Sequence, residues 1–140
     1  MIIVRNKIIP FGKFDCMNIL GFLFVRDEIE VSPTILRHEG IHTVQQYEIM
    51  TLSALVALLL CNVWASWWYL LIVVAMPFVL YVLAWLIAVV LPPYDSAYKD
   101  SPFEREAYFN QNKDNYLATR PLFAWVKYIL KQREKGETLL

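Results

Sequence analysis

The hydrophobic pattern divides the chain into three. From Thr51 to Leu91 run 41 residues without a single Asp, Glu, Lys or Arg, flanked on both sides by segments that carry every charge in the protein. As one straight helix this run would reach roughly 60 Å, about twice the hydrocarbon thickness of a bilayer. It therefore reads as a hairpin of two membrane spans over residues 51–91. A buried soluble core would need more chain outside the run to cover it. Trp64, Trp67, Trp68 and Tyr69 cluster near its middle, where amphipathic rings would anchor at the far interface, which puts the turn near residues 62–68. Pro77 should kink the return span, and Pro92 with Pro93 should end it.

The flanks have different periods. Ile2 to Phe11 and Phe14 to Arg26 are rich in Ile, Val and Phe, with Gly12 and Lys13 between them, so residues 1–31 read as two short strands forming a β-hairpin. The second strand could lie along a cleft and pair its edge with an extended peptide, or the sheet could merely pack over the helices. Ser32 can cap a helix whose first position is Pro33. No further Pro, and no Gly except Gly40, interrupts the chain up to Trp64, which predicts one long helix with residues 32–50 outside the membrane and the rest within it. After the spans, residues 92–120 carry the loop YDSAYKDS and then a second Ser-Pro opening, Ser101-Pro102, that starts a helix through PFEREAYFNQ. Asn112, Asp114 and Asn115 read as a polar connection. Residues 121–140 are expected to form an amphipathic C-terminal helix, with Leu122, Trp125, Val126 and Ile129 apolar and Lys127, Lys131 and Arg133 basic, suited to the inner leaflet or to packing on the non-membrane part.

Composition sharpens this into a single-domain membrane protein of 140 residues, with 58% hydrophobic residues and a mean hydropathy of +0.41, too apolar for an ordinary soluble domain. Thirteen basic and 13 acidic residues give zero net charge, so no bulk attraction to nucleic acid is expected. Because Lys and Arg are retained on the cytoplasmic side, both termini and the residue 32–50 helix are expected there. Cys16 and Cys61, one in that flank and one in the apolar run, are not expected to pair. The N-terminus lacks the apolar core and cleavage site of a secretory signal, so targeting should come from the hairpin. Nothing in the pattern sets an oligomeric state.

The candidate chemistry sits in HEGIH, His38 to His42, which contains the chain's only two histidines. Residues four apart share a helix face, so the two imidazoles can meet one ion, with Glu39 beside it to take a proton from a polarised water. A third protein ligand is needed. Glu104 on the Ser101 helix could stand beside the imidazoles, since packed helices lie about 8 to 10 Å apart, whereas Glu106, roughly 200° further round, should point away. Ser101 and Glu104 equally have capping-box spacing, in which the Glu bonds back to the cap residue.

HEGIH followed by EREAY resembles the gluzincin metallopeptidases, in particular the integral membrane branch typified by the HtpX heat-shock proteases and the CAAX prenyl proteases. The resemblance covers residues 35–46 and 102–108. It implies a zincin-like α+β portion beside the transmembrane hairpin, Zn2+ held by His38, His42 and Glu104, and Glu39 as general base. Tyr108 stands where those relatives have an Asp that would orient a ligand His, so that duty passes to the Tyr hydroxyl or to another group. Tyr47, Tyr108 and Tyr116 are candidate donors to developing negative charge. The expected function is a membrane-embedded zinc metallopeptidase cleaving a peptide or membrane-protein substrate near the cytoplasmic face of the lipid bilayer. Two other classes stay open: a zinc hydrolase acting on an amide or ester in a lipid, and a small non-catalytic membrane interaction protein.

Overall fold

The computed structural model describes residues 1–10, 14–64, 66, 68–90, 99 and 101–130. The chain is mainly helical, with one small sheet. Helix α1 (Pro33–Trp64) and helix α2 (Tyr69–Val90) pack against each other, and each is long and apolar enough to cross a membrane. Ser32 caps α1 as its position requires, its Oγ accepting from the Ile35 N–H at 3.2 Å. The helix then runs unbroken through 32 residues, because Gly40 and the β-branched residues cost less than the packing of one continuous face returns. Pro77 is accommodated inside α2. The turn falls between Trp64 and Tyr69, and Trp68 at its end is 77% exposed. Trp67 and the segment from Leu91 to Tyr98, with Pro92 and Pro93, lie outside the described residues.

The sheet differs from the expected hairpin. Strands β1 (Ile2–Arg5), β2 (Cys16–Ile19) and β3 (Phe22–Val25) assemble in the order β1-β3-β2. The hairpin lies wholly inside the second predicted strand: β2 pairs antiparallel with β3 across a Leu20-Gly21 turn, and β1 joins the other side of β3 in parallel. Gly12 and Lys13 lie outside the described residues. The physical reason is the turn itself. Leu20 (φ 50°) and Gly21 (φ 85°) both adopt left-handed backbone, the conformation a two-residue hairpin loop needs. Leu is a poor residue for it, and the conformation is held by tertiary bonds: the Leu20 N–H donates to Gln46 Oε1 at 2.7 Å and the Leu20 carbonyl accepts from Tyr47 Oη at 3.1 Å. One face of the sheet, with Leu23 and Val25 fully buried, packs on α1, and Asn18 on that face donates to the Glu39 carbonyl (2.5 Å) and to Thr43 Oγ1 (2.8 Å).

Helix α3 (Pro102–Asn110) lies against α1, and Phe103 through Ala107 are all buried. Helix α4 (Tyr116–Thr119) follows. Beyond Pro121 the described chain makes a 3-10 turn (Ala124–Val126) and a short helix α5 (Lys127–Leu130), after Phe123 at φ 53°, rather than one helix from Pro121. Its rings cover α3: Trp125 lies 4.9 Å from Phe103, and Tyr128 stacks on Phe109 at 5.9 Å. Residues 131–140, with Lys131 and Arg133, lie outside the described residues.

Substituting Gly21→Ala should cost about 1 to 2 kcal/mol, the penalty of a side chain in left-handed backbone. The added Cβ would also stand 2.9 Å from Tyr47 Oη. A lowered thermal unfolding midpoint of the detergent-solubilised protein checks this.

Candidate metal centre

Three elements deliver the site. Helix α1 presents His38 and His42 one turn apart, with their Nε2 atoms 3.1 Å from each other. Helix α3 brings Glu104, whose carboxylate oxygens stand 3.3 Å from His38 Nε2 and 3.4 Å from His42 Nε2. Helix α2 contributes Tyr81, whose hydroxyl donates to Glu104 Oε1 at 2.7 Å. The two readings of Glu104 turn out compatible. Ser101 Oγ caps the helix through the Glu104 backbone N–H at 3.3 Å, which leaves the carboxylate to face the imidazoles.

The outward nitrogens of both rings are tied. His38 Nδ1 donates to Gln111 Oε1 at 3.0 Å, and His42 Nδ1 to Gln45 Oε1 at 2.8 Å. The Gln45 orientation is fixed because its Nε2 donates to the Phe103 carbonyl (3.1 Å) and to Glu106 Oε2 (3.0 Å), both pure acceptors. With hydrogens on the Nδ1 atoms, the two Nε2 lone pairs converge on a carboxylate that is 1% exposed and whose Oε2 has no hydrogen-bond partner. Such a cluster is stable only around a positive charge, a proton or a metal cation. Burial alone would depress His42, but the Glu104 carboxylate beside it raises it to about 9. Burial would likewise raise Glu104, yet the imidazoles hold it well below the usual carboxylate range.

The three groups fit a small cation. Their ligand atoms lie within 4.8 Å of one another. The two Nε2 atoms are 3.1 Å apart, and each has a different oxygen of the Glu104 carboxylate at 3.3 to 3.4 Å, so the carboxylate spans the pair of imidazoles at distances a shared small cation could bridge. His38, His42 and Glu104 could thus hold a metal ion, with Gln45 and Gln111 doing for the rings what a second layer of hydrogen bonds does in metal sites generally.

The other sequence candidates disperse. Tyr108 packs its ring edge-on to His38, centroids 4.8 Å apart, and Lys99 Nζ lies over the Tyr108 ring, 5.4 Å from its centroid. Glu106 points away from the imidazoles as its helical position requires. It is fully buried and accepts from Tyr116 Oη (2.9 Å) and from Arg120 Nε (2.5 Å). Burial and Glu106 push the Tyr116 phenol far above its usual value, and its hydroxyl is engaged there. Tyr47 is held at Leu20. Arg120 also clamps Glu48 on α1 with two bonds, at 2.5 and 3.1 Å.

Sequence reasoning missed Gln111, Tyr81 and Arg120, and gave Gln45 no role. Gln45 lies three residues past His42 on the ligand face of α1, and Gln111 seven past Glu104, two turns along α3, so helical spacing pointed to both. A phenol inside an apolar span needs a partner, which pointed to Tyr81. Nothing local singles out Arg120.

Beside the cluster opens a groove of about 410 Å³. Its walls are the edge strand β2, α1 from Glu39 to Ile49, Pro77, Phe78 and Tyr81 of α2, and Phe103 with Glu104 of α3. Glu39 faces this groove, and burial raises its carboxyl above the ordinary value. No family model, no curated protein and no solved structure matches the chain.

Gln45→Leu should fill the same space but free the His42 ring, weakening metal affinity about 10- to 100-fold without dispersing the ligands. Titration of the purified protein against a chelator of known affinity measures this.

Proposed function

We propose that this chain is a membrane-embedded, zinc-dependent hydrolase acting on peptide bonds in an extended segment at the membrane surface. The observation that carries the reading is the delivery of a buried carboxylate, Glu104, to two imidazoles whose remaining nitrogens are already committed, with Glu39 beside them on an open groove. Two imidazoles and one carboxylate are the donor set of catalytic zinc. A bound zinc ion supplies a Lewis acid that eases deprotonation of water and polarises a carbonyl.

The chain's own residues do the rest. His38, His42 and Glu104 hold the ion, and the Gln45 and Gln111 carboxamides keep the rings aimed at it. Glu39, destabilised as an anion by burial, accepts the proton of the attacking water and returns it to the leaving amine. Tyr81 carries the single hydroxyl among the described residues that line the groove. Its one O–H is donated to Glu104 Oε1, which fixes the orientation of the carboxylate.

The β2 edge favours a peptide. In a two-residue hairpin the pairs Ile19–Phe22 and Met17–Phe24 exchange hydrogen bonds, so the backbone of Cys16 and the N–H of Asn18 project away from β3 toward the groove. An extended peptide can pair with that edge while its apolar side chains enter between Met17, Ile49 and Phe78. The same apolar walls favour, as a second reading, the amide or ester of a lipid. Helices α1 and α2 serve as the membrane hairpin, with the charged flanks that hold every Lys and Arg, both termini and the site on the cytoplasmic side.

Elemental analysis should find one zinc per chain, lost in His38→Ala. Glu39→Gln should retain the zinc and abolish cleavage of unstructured peptides by the full chain in nanodiscs, followed by mass spectrometry. Metal-free wild-type protein in zinc-buffered medium, or unchanged cleavage by Glu39→Gln, would refute the proposal.

A further inference from the structure

The Leu20-Gly21 turn has an unusual backbone. Hairpin tips ordinarily leave their N–H and C=O groups to water, yet all four of these are bonded within the protein. The Leu20 N–H donates to Gln46 Oε1 (2.7 Å) and the Gly21 N–H to Asn18 Oδ1 (3.2 Å). The Leu20 carbonyl accepts from Tyr47 Oη (3.1 Å), and the Gly21 carbonyl from the Ile2 N–H (2.9 Å). Gly21 is buried against Tyr47 and Thr43, and complete internal satisfaction is what any water-free surrounding, protein interior or hydrocarbon, demands of a turn.

The side chains around this tip are apolar. Ile2 pairs with Phe22, and Ile19 faces Phe22 across the hairpin. Met1, Ile2 and Phe22 are 49%, 59% and 45% exposed. The charged residues of the sheet region, Arg5, Lys7, Asp15, Arg26 and Asp27, lie toward its other end.

The position of the tip along α1 agrees. Strand β2 runs in the direction of α1, with Asn18 bonded at Glu39 and Thr43 and Leu20 at Gln46 and Tyr47. The charge-free part of α1, Thr51 to Trp64, is only about 21 Å long, short of a hydrocarbon layer of about 30 Å. Twenty residues, the length that fills such a layer, counted back from Trp64 begin at Gln45. Tyr47 and the turn bonded to it then fall inside the layer. Helix α2 agrees too, since Val82, Leu83 and Ile87, beyond the Tyr81 that meets Glu104, remain exposed and apolar.

We infer that the β2–β3 turn, with Ile2, Ile19 and Phe22 around it, is immersed in the near leaflet, so that the sheet is a third membrane-contacting element beside α1 and α2. The occupant of this surface is lipid acyl chain. The inference rests on reading α1 and α2 as membrane spans. It also sets the groove mouth, between β2 and Phe78, at the lipid boundary.

The test places one environment-sensitive fluorophore at a time on the full chain, with Cys16 and Cys61 changed to Ser, in nanodiscs containing lipids that carry a quencher high on the acyl chain. The label positions are Phe22→Cys, Ile2→Cys, Val82→Cys on α2 and the exposed Asp27→Cys at the charged end of the sheet. Quenching at Phe22 and Ile2 several-fold greater than at Asp27, and approaching that at Val82, is the expected result. Quenching at Phe22 and Ile2 no greater than at Asp27, with Val82 quenched, overturns the immersion of the sheet and leaves the spans intact. If Val82 also goes unquenched, the spans fail and the inference with them. Shielding of Phe22 and Ile2 from both the lipid quencher and a soluble one would mean that protein, a second copy or a partner, covers this face, and would equally overturn it.

Discussion

A buried carboxylate that keeps its charge must be surrounded by donors or cations, and the arrangement of this molecule follows from meeting that demand at Glu104. One oxygen is met by Tyr81 from α2, and the other looks toward imidazole nitrogens on α1. Neither helix could do this alone. The hairpin of α1 and α2 returns the chain to the level it left, α3 starts there on its Ser101 cap, and the cap uses the Glu104 N–H without drawing on its side chain. Short local bonds and a long-range loop thus converge on a single group, so a change far from α3, in the pairing of α1 with α2, would still be felt at the carboxylate.

The surroundings of that group are divided. On the groove side stand Met17, Ile49, Pro77 and Phe78. Behind Gln45 lies the ionic side, where Glu106, Glu48, Arg120 and Tyr116 satisfy one another with almost no exposure of Arg120 or the two carboxylates. Gln45 joins the two, accepting from His42 and donating to Glu106. Glutamine suits that place because it both accepts and donates; Glu would add a third anion to a cluster already holding two against one guanidinium, and Leu would leave His42 Nδ1 without an acceptor. Such a cluster costs more to desolvate than apolar packing would, and its return is geometric: it fixes where α1 and α3 lie relative to each other.

What the sequence disclosed and what it concealed follow one rule. Features set by helical period were legible: the 32-residue α1, its Ser32-Pro33 start, the shared face of His38 and His42, and Glu106 turned away from Glu104. The convergence of Glu104 on the imidazoles was legible only as a possibility, because capping and ligation share the same spacing. The strand pairing was not legible. Gly12-Lys13 has conventional turn chemistry, whereas Leu20 adopts left-handed backbone only because Gln46 and Tyr47, more than 20 residues on, bond its peptide groups. Arg120 was concealed for the same reason, since its partners Glu48 and Glu106 are brought together by tertiary structure alone.

Glu48 shows how the membrane reading and the polar core constrain each other. It stands three residues before the charge-free run begins, where an unpaired carboxylate would face the edge of a hydrocarbon layer at a cost of several kcal/mol. Arg120 meets it with two hydrogen bonds and the Phe123 N–H adds a third at 2.7 Å. Those bonds draw the chain from Arg120 to Phe123 down to the level of Glu48, and Leu122, 79% exposed, is carried with it. A segment tethered at that depth by charge has reason to present apolar side chains outward, as Leu122, Val126 and Ile129 do. The amphipathic character of the C-terminal stretch is then divided: Trp125 and Tyr128 cover α3, while Leu122, Val126 and Ile129 stay exposed on the surface.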